Sequence, residues 1–205
     1  MLVMLRFSLF TLALPRALPQ PQAAHFCRLL TSDGQGAVYP LSLYARHLTT
    51  MLCGAPSYGG YTAEQVFTGI VFFYSDWEQL PLIALSDHER RTLVDELHSG
   101  ATLRLFPHKT SDGTVEWYAP TDRLPLELDA EHRRYIAEVL TRLSAEVQAG
   151  EWPTVDAYID RMLEYQCRYG GTALPPLPPR HLIPIVLQSL AAVVLVVILL
   201  RRRKT

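Results

Sequence analysis

A long uncharged run near the C-terminus most strongly constrains what this chain can fold into. Residues 182–200 read LIPIVLQSLAAVVLVVILL, about 19 residues without a charged side chain. As an α-helix the run would be about 28 Å long, which matches the hydrocarbon thickness of a bilayer. We therefore predict one transmembrane helix from Leu182 to Leu200. The alternative is a buried C-terminal helix followed by a basic tail.

The residues after this run indicate its orientation. Arg201, Arg202, Arg203 and Lys204 follow directly and form a tail over residues 201–205. Positive charges beside a span mark its cytoplasmic side. The sequence therefore predicts a single-pass protein of the bacterial inner membrane, with membrane lipid as a partner and the preceding domain facing the periplasm.

The N-terminal residues 1–24 resemble a signal peptide. Arg6 precedes the apolar run FSLFTLAL, which is too short to span a bilayer but has the length of a signal-peptide core. Ala23 and Ala24 offer a candidate cleavage site, although Gln22 occupies a position where a small residue is preferred. The alternative is an uncleaved segment that lies at the membrane interface.

The residues between these ends are sufficient for one globular domain, which we place at residues 25–171. The stretch from His25 to His181 has 20 acidic and 13 basic residues, a net charge of −7. Such a surface argues against nucleic acid as a partner. Residues 172–181 contain TALPPLPP and are predicted to form a stiff, proline-rich spacer between the domain and the span.

The fold class that the patterns predict is mainly α with a small β-hairpin. A capping box at Thr62-Ala63-Glu64-Gln65 opens an almost wholly apolar helix, which we predict to be the central buried one. The predicted helices cover residues 38–53, 62–77, 86–98, 129–149 and 152–169, the last two as an antiparallel pair. An extended stretch at 80–85 and a hairpin of 102–106 with 115–118 complete the prediction.

The clearest candidate for partner binding is a dense group of aromatic residues. Such a group can line a surface for a flat cofactor or a partner helix, and the alternative is that it packs in the core. Its members are Tyr58, Tyr61, Phe67, Phe72, Phe73, Tyr74 and Trp77.

Residue motifs for catalysis and metal binding are lacking, so we predict a protein that is not an enzyme. The sequence has no GxSxG, HExxH, CxxC or CxxCH motif.

His181, just before the span, is a candidate haem ligand, and the alternative is an ordinary polar residue at the interface. Acidic residues at 156, 160 and 164 are expected to form a solvated helix face. Cys27, Cys53 and Cys167 are left open between one disulfide and core thiols.

Four stretches carry a resemblance to a known family. They are VYPLSLYARHLTTMLCG, YGGYTAEQVFTGIVFF, WEQLPLIAL and LSAEVQAGEWPTVDAYIDRMLEYQCRYGG. Together they resemble the extracytoplasmic region of the ResB/CcsA-type (system II) cytochrome c biogenesis proteins over residues 36–171. The closest local match is Glu151-Trp152, then an acidic helix and Tyr165-Gln166. The family's tryptophan-rich loop and its membrane histidines have no counterpart here.

The resemblance implies a membrane-anchored accessory or scaffold module for cytochrome c assembly, without catalysis of its own. The implied partners are a haem-handling cytochrome c synthase subunit or an apocytochrome c, and haem is an open cofactor. The alternative is a structural or interaction protein of the envelope that has no link to haem.

Overall fold

The structure, a computed structural model, describes residues 14–78 and 87–170, and these form seven helices and three antiparallel strand pairs. The helices are α1 (Gln20–Phe26), α2 (Leu41–Cys53), α3 (Ala63–Phe72), α4 (Tyr74–Trp77), α5 (Asp87–Ser99), α6 (Ala130–Ala149) and α7 (Trp152–Tyr169). The pairs are β1 (Leu30–Ser32) with β2 (Val38–Pro40), β3 (Ser57–Tyr58) with β4 (Tyr61–Thr62), and β5 (Phe106–Lys109) with β6 (Val115–Tyr118). The prediction of one mainly helical domain with a β-hairpin is confirmed, and two short hairpins were missed.

Helix α3 lies at the centre of the domain, as predicted. Val66, Phe67 and Ile70 are each 0% exposed, and the helix contacts α1, α2, α5 and α6. The predicted capping box is present. The Gln65 backbone N–H donates to Thr62 Oγ1 at 3.3 Å, and the Gln65 side-chain oxygen accepts from the Thr62 N–H at 3.3 Å. These bonds satisfy two of the donors that a helix start leaves open.

The last two helices form the predicted antiparallel pair. Gly150 ends α6 in the left-handed conformation, at φ 75°, and α7 begins two residues later. The start of α6 lies beside the end of α7, as the distance of 3.1 Å between Tyr169 Oη and His132 Nε2 shows.

Three predicted boundaries are wrong by a few residues. Helix α2 begins at Leu41 and not at residue 38, because residues 38–40 pair with β1. Helix α3 stops at Phe72 and not near Trp77, because Phe73 leaves the helical conformation with φ −125° and ψ 43°. The first strand of the predicted hairpin begins at Phe106 and not at residue 102.

The N-terminal part of the described chain is built into the core. Leu18 is 1% exposed, and Ala23 and Phe26 are both 0% exposed. Helix α1 packs on α3 and α7. The packed part of the domain therefore begins before the boundary that we predicted at residue 24.

The predicted span lies outside the residues that the structure describes. Within residues 14–78 and 87–170, no helix has both the length and the apolar character that crossing a membrane requires. The chain is divided into two units, residues 1–171 and residues 172–205. The predicted spacer, the run from Leu182 to Leu200, the basic tail and His181 lie outside the described residues, as do the extended stretch at 80–85 and residues 1–13.

Candidate functional site

The candidate site is a groove that holds an extended segment of the chain itself. We call residues 14–19, which precede α1 and have no regular secondary structure, the strap. Three groove side chains donate hydrogen bonds to strap carbonyls. Tyr61 Oη donates to Pro15 O at 3.0 Å, Trp77 Nε1 to Arg16 O at 2.7 Å, and Gln65 Nε2 to Leu18 O at 3.1 Å. We call Tyr61, Gln65, Phe73, Asp76 and Trp77 the strap groove.

The arginine of the strap is held from two sides. Arg16 Nε donates to Asp76 Oδ2 at 2.7 Å, and Arg16 Nη2 donates to Asp76 Oδ1 at 3.1 Å. The Arg16 backbone N–H adds a third bond to Asp76 Oδ2 at 3.1 Å. The guanidinium carbon lies 4.8 Å from the centroid of the Phe73 ring. A carboxylate that binds in bidentate fashion and an aromatic ring that packs on the guanidinium together recognise arginine better than lysine.

The remaining strap residues fix its position and its shape. Leu18 is 1% exposed and anchors the segment in the core, whereas Leu14 is 54% exposed. Pro19 has φ −54° and ψ 145°, which is the polyproline conformation, and Pro15 is restricted to a similar φ by its ring. The strap is therefore a short extended chain with a proline near each end.

Gln65 links local folding to the strap. Its side-chain oxygen caps the start of α3, and its side-chain N–H₂ donates to Leu18 O. The capping box predicted from the sequence thus also positions one of the three donors that hold the strap.

The seven aromatic residues predicted as a partner surface lie in different surroundings. Four of them are core residues, which corrects that prediction: Phe67 and Trp77 are 0% exposed, Phe72 is 2% and Phe73 is 7%. Phe67 and Phe72 pack their rings on Phe26. The half-buried members are Tyr58, Tyr61 and Tyr74.

Three of the predicted aromatics nevertheless contact an extended segment. Tyr61 and Trp77 hold strap carbonyls, and Phe73 lies under Arg16. Tyr74 instead bonds Asp95 at 2.7 Å, away from the strap. The strap itself was missed, because its residues were assigned to the signal-peptide-like segment.

The Asp76 carboxylate gives the strap contact a dependence on pH. The hydrogen bond from the Arg16 side chain holds the pKa of Asp76 below its usual range. A carboxyl whose pKa is lowered by folding stabilises the fold above its unfolded pKa, and this stabilisation is lost as the pH falls through the folded pKa. We expect the free energy of unfolding to decrease below about pH 4, and the Asp76→Asn variant to show a smaller decrease.

Urea titrations of the full chain between about pH 3 and pH 6 test this expectation. Asp95→Asn is the matched control, because Asp95 accepts a hydrogen bond from Tyr74, which follows the groove residue Phe73 in the sequence but bonds away from the strap. The same pH dependence in wild type and Asp76→Asn would contradict the assignment.

A buried histidine is a second feature that sequence reasoning missed. The His25 side chain is 2% exposed, with Nδ1 2.6 Å from Asp156 Oδ1 and Nε2 2.9 Å from Asp160 Oδ1. The acidic residues at 156 and 160 therefore join α7 to α1, which corrects their description as a purely solvated face.

A cavity of about 320 Å³ is lined by residues of α6 and α7. The Tyr135 and Tyr165 rings, which line it, stack with centroids 5.3 Å apart, and the lining residues His132 and Tyr169 contact each other through the Tyr169 hydroxyl. Burial raises the pKa of Tyr135 to about 12, and it also raises the pKa of Tyr165. Both phenols therefore stay protonated at neutral pH and do not supply a nucleophile there.

The three cysteines are free thiols in the structure. Cys27 is buried, Cys53 is half-buried and Cys167 is exposed. Burial raises the pKa of the Cys27 thiol, so this residue behaves as an apolar core side chain. Of the alternatives left open by the sequence, the structure has Cys27 as a core thiol.

The buried members of the aromatic group do not line a slot for a haem. A haem site needs a slot for a flat ring and an iron ligand such as histidine or tyrosine. Phe67, Phe72 and Trp77 are at most 2% exposed, and the Trp77 indole N–H is bonded to the strap. In the described parts of the chain, no group of three or more His, Cys, Asp or Glu side chains is arranged to hold a metal ion.

Comparison with known proteins adds no assignment. Neither protein-family models nor curated protein sequences give a match to this chain. The resemblance to the cytochrome c biogenesis proteins therefore stays a prediction. One residue quoted for it, Gln166, is 2% exposed and holds backbone groups of Leu30 and Leu105, so its role in this chain is in folding.

Proposed function

We propose that this chain is a membrane-anchored, non-catalytic accessory module for cytochrome c assembly, and that it handles an extended polypeptide such as an apocytochrome c. The observation that supports this proposal is the strap groove, in which three side chains hold main-chain carbonyls of an extended segment. Contacts to main-chain atoms suit an unfolded polypeptide, because every residue offers a carbonyl.

The charge of the domain is consistent with such a partner. With a net charge of −7 between residues 25 and 181, the domain attracts a basic chain and repels an acidic one. The haem-handling synthase subunit is a second partner under this proposal. The proposed location is the bacterial inner membrane, with the domain in the periplasm and the C-terminal tail in the cytoplasm.

The test combines gene deletion with affinity capture from the native membrane. We expect loss of the gene to lower the amount of haem-containing cytochrome c, and the full chain to restore it. A chain that ends at Gly171 lacks the predicted spacer and span and serves as the anchor control, which we expect not to restore it. Capture of the full chain should recover an apocytochrome c or a cytochrome-assembly protein.

Two results together would overturn the proposal. They are a normal amount of cytochrome c after deletion and the recovery of no cytochrome-assembly protein. Capture of unrelated envelope proteins alone would favour the alternative, a structural or interaction protein of the envelope.

A further inference from the structure

We propose that the strap groove is a recognition site for a partner segment with the chemistry of Pro-Arg-x-Leu-Pro in extended form, and that the strap occupies it as an intramolecular competitor. The inference deepens the proposed function and rests on it for the kind of partner. It commits to an extended polypeptide as the occupant, because an extended polypeptide is what the groove holds in the structure.

The contacts to the strap main chain follow a known mode of peptide recognition. Tyrosine and tryptophan side chains that line a groove and meet a proline-containing extended chain are typical of domains that bind polyproline segments. Tyr61 and Trp77 supply such donors here, at 3.0 Å and 2.7 Å from successive strap carbonyls. A pre-formed extended segment loses little conformational entropy on binding, which favours ligands with proline.

Two side-chain contacts add selectivity. Asp76 accepts two bonds from the Arg16 guanidinium, and Phe73 faces the same group at 4.8 Å. Two residues later the chain buries Leu18, which is 1% exposed. A ligand must therefore present an arginine to the acidic side of the groove and a leucine to its apolar end.

The strap is placed so that a partner can exchange with it. Its outer half is accessible, since Leu14 is 54% exposed and the Arg16 side chain is 59% exposed. The strap is tethered to α1, so it competes at a high effective concentration, which for a short flexible link is about millimolar. A free peptide therefore binds weakly to wild type and more tightly to a chain whose strap is impaired.

The experiment uses the full chain in detergent and a fluorescent peptide with the strap sequence LPRALPQ, followed by fluorescence anisotropy. Arg16→Ala impairs the strap and leaves the groove intact. We expect this variant to bind the peptide at least about tenfold more tightly than wild type, because its own strap competes less well. A matched peptide with alanine in place of arginine should lose about tenfold or more in affinity.

Two further variants assign the contact to Asp76. In the Arg16→Ala chain, Asp76→Ala should abolish the preference for the arginine peptide, whereas Asp95→Ala should leave it unchanged. Circular dichroism of each variant checks that it is folded. The proposal is overturned if folded Arg16→Ala chain binds the peptide no better than wild type, or if it binds both peptides equally.

A second route applies if Arg16→Ala does not fold. A site for a specific protease is inserted between Pro19 and Gln20, and the chain is cut after it has folded with its strap in place. Excess labelled peptide should then replace the cut segment, as seen by mass spectrometry of the protein after gel filtration. A cut segment that stays bound against the excess peptide would overturn the proposal. Neither measurement involves cytochromes, so both are independent of the genetic test.

Discussion

Gln166→Leu is expected to lower the free energy of unfolding by about 3–5 kcal/mol. The Gln166 side chain is 2% exposed and connects α7 to two other segments. Its oxygen accepts from the Leu30 N–H at 2.9 Å, and its N–H₂ donates to Leu30 O and Leu105 O, both at 2.8 Å. Leucine is close in size but leaves these three buried backbone groups without that partner.

Urea unfolding of the full chain measures this effect, with Cys167→Ser as the matched control. Cys167 is the next residue of the same helix but is exposed, so we expect a change within about 0.5 kcal/mol. A loss below about 1 kcal/mol for Gln166→Leu would mean that these backbone groups are satisfied in some other way.

Gly69→Ala is expected to destabilise the chain by about 1–3 kcal/mol and to detach the strap. A Cβ atom on Gly69 would lie 2.5 Å from Trp77 Nε1 and 2.6 Å from Trp77 Cε2. The indole must move, and its hydrogen bond to Arg16 O at 2.7 Å is lost. In an exposed helix the same substitution would stabilise by about 1 kcal/mol, so the sign of the effect reports the contact with Trp77.

A double-mutant cycle with Trp77→Phe tests whether the loss of stability in Gly69→Ala comes from the clash between the new Cβ atom and the Trp77 indole. The smaller phenylalanine ring leaves room for the new methyl group, so the double variant should be more stable than the sum of the single effects predicts. Additive effects would show that Gly69 and Trp77 do not crowd each other, and so would a stabilising Gly69→Ala.

The sequence predicted those helix starts, helix ends and buried helices that depend only on residues close together in the chain. The capping box at Thr62, the stop at Gly150 and the apolar character of α3 each act within a few residues, and each is found in the structure. The two misplaced helix boundaries fall where strand pairing or a change at Phe73 interrupts the local pattern. The strand boundary is misplaced because Leu103 and Leu105 make turn hydrogen bonds before the pairing begins at Phe106.

The candidate site depends on contacts between distant residues, which a single sequence does not display. Trp77 and Arg16 are 61 positions apart, and His25 and Asp156 are 131 apart. The strap extends from the end of the apolar run at residues 7–14 towards the candidate cleavage site at Ala23 and Ala24, so Leu18 and Ala23 were assigned to the signal-peptide-like segment. The aromatic residues were predicted as one partner surface, but sequence periodicity does not tell a buried ring from one that holds a segment of chain.

The hydrogen exchange rate of the Trp77 indole N–H, measured by NMR on the full chain, tests the central claim most directly. If the indole is buried and bonded to Arg16 O, this proton should exchange only when the strap leaves the groove or the domain unfolds, and Gly69→Ala should accelerate its exchange. An indole proton of Trp77 that exchanges in wild type as fast as that of a free tryptophan would show that the strap does not occupy the groove.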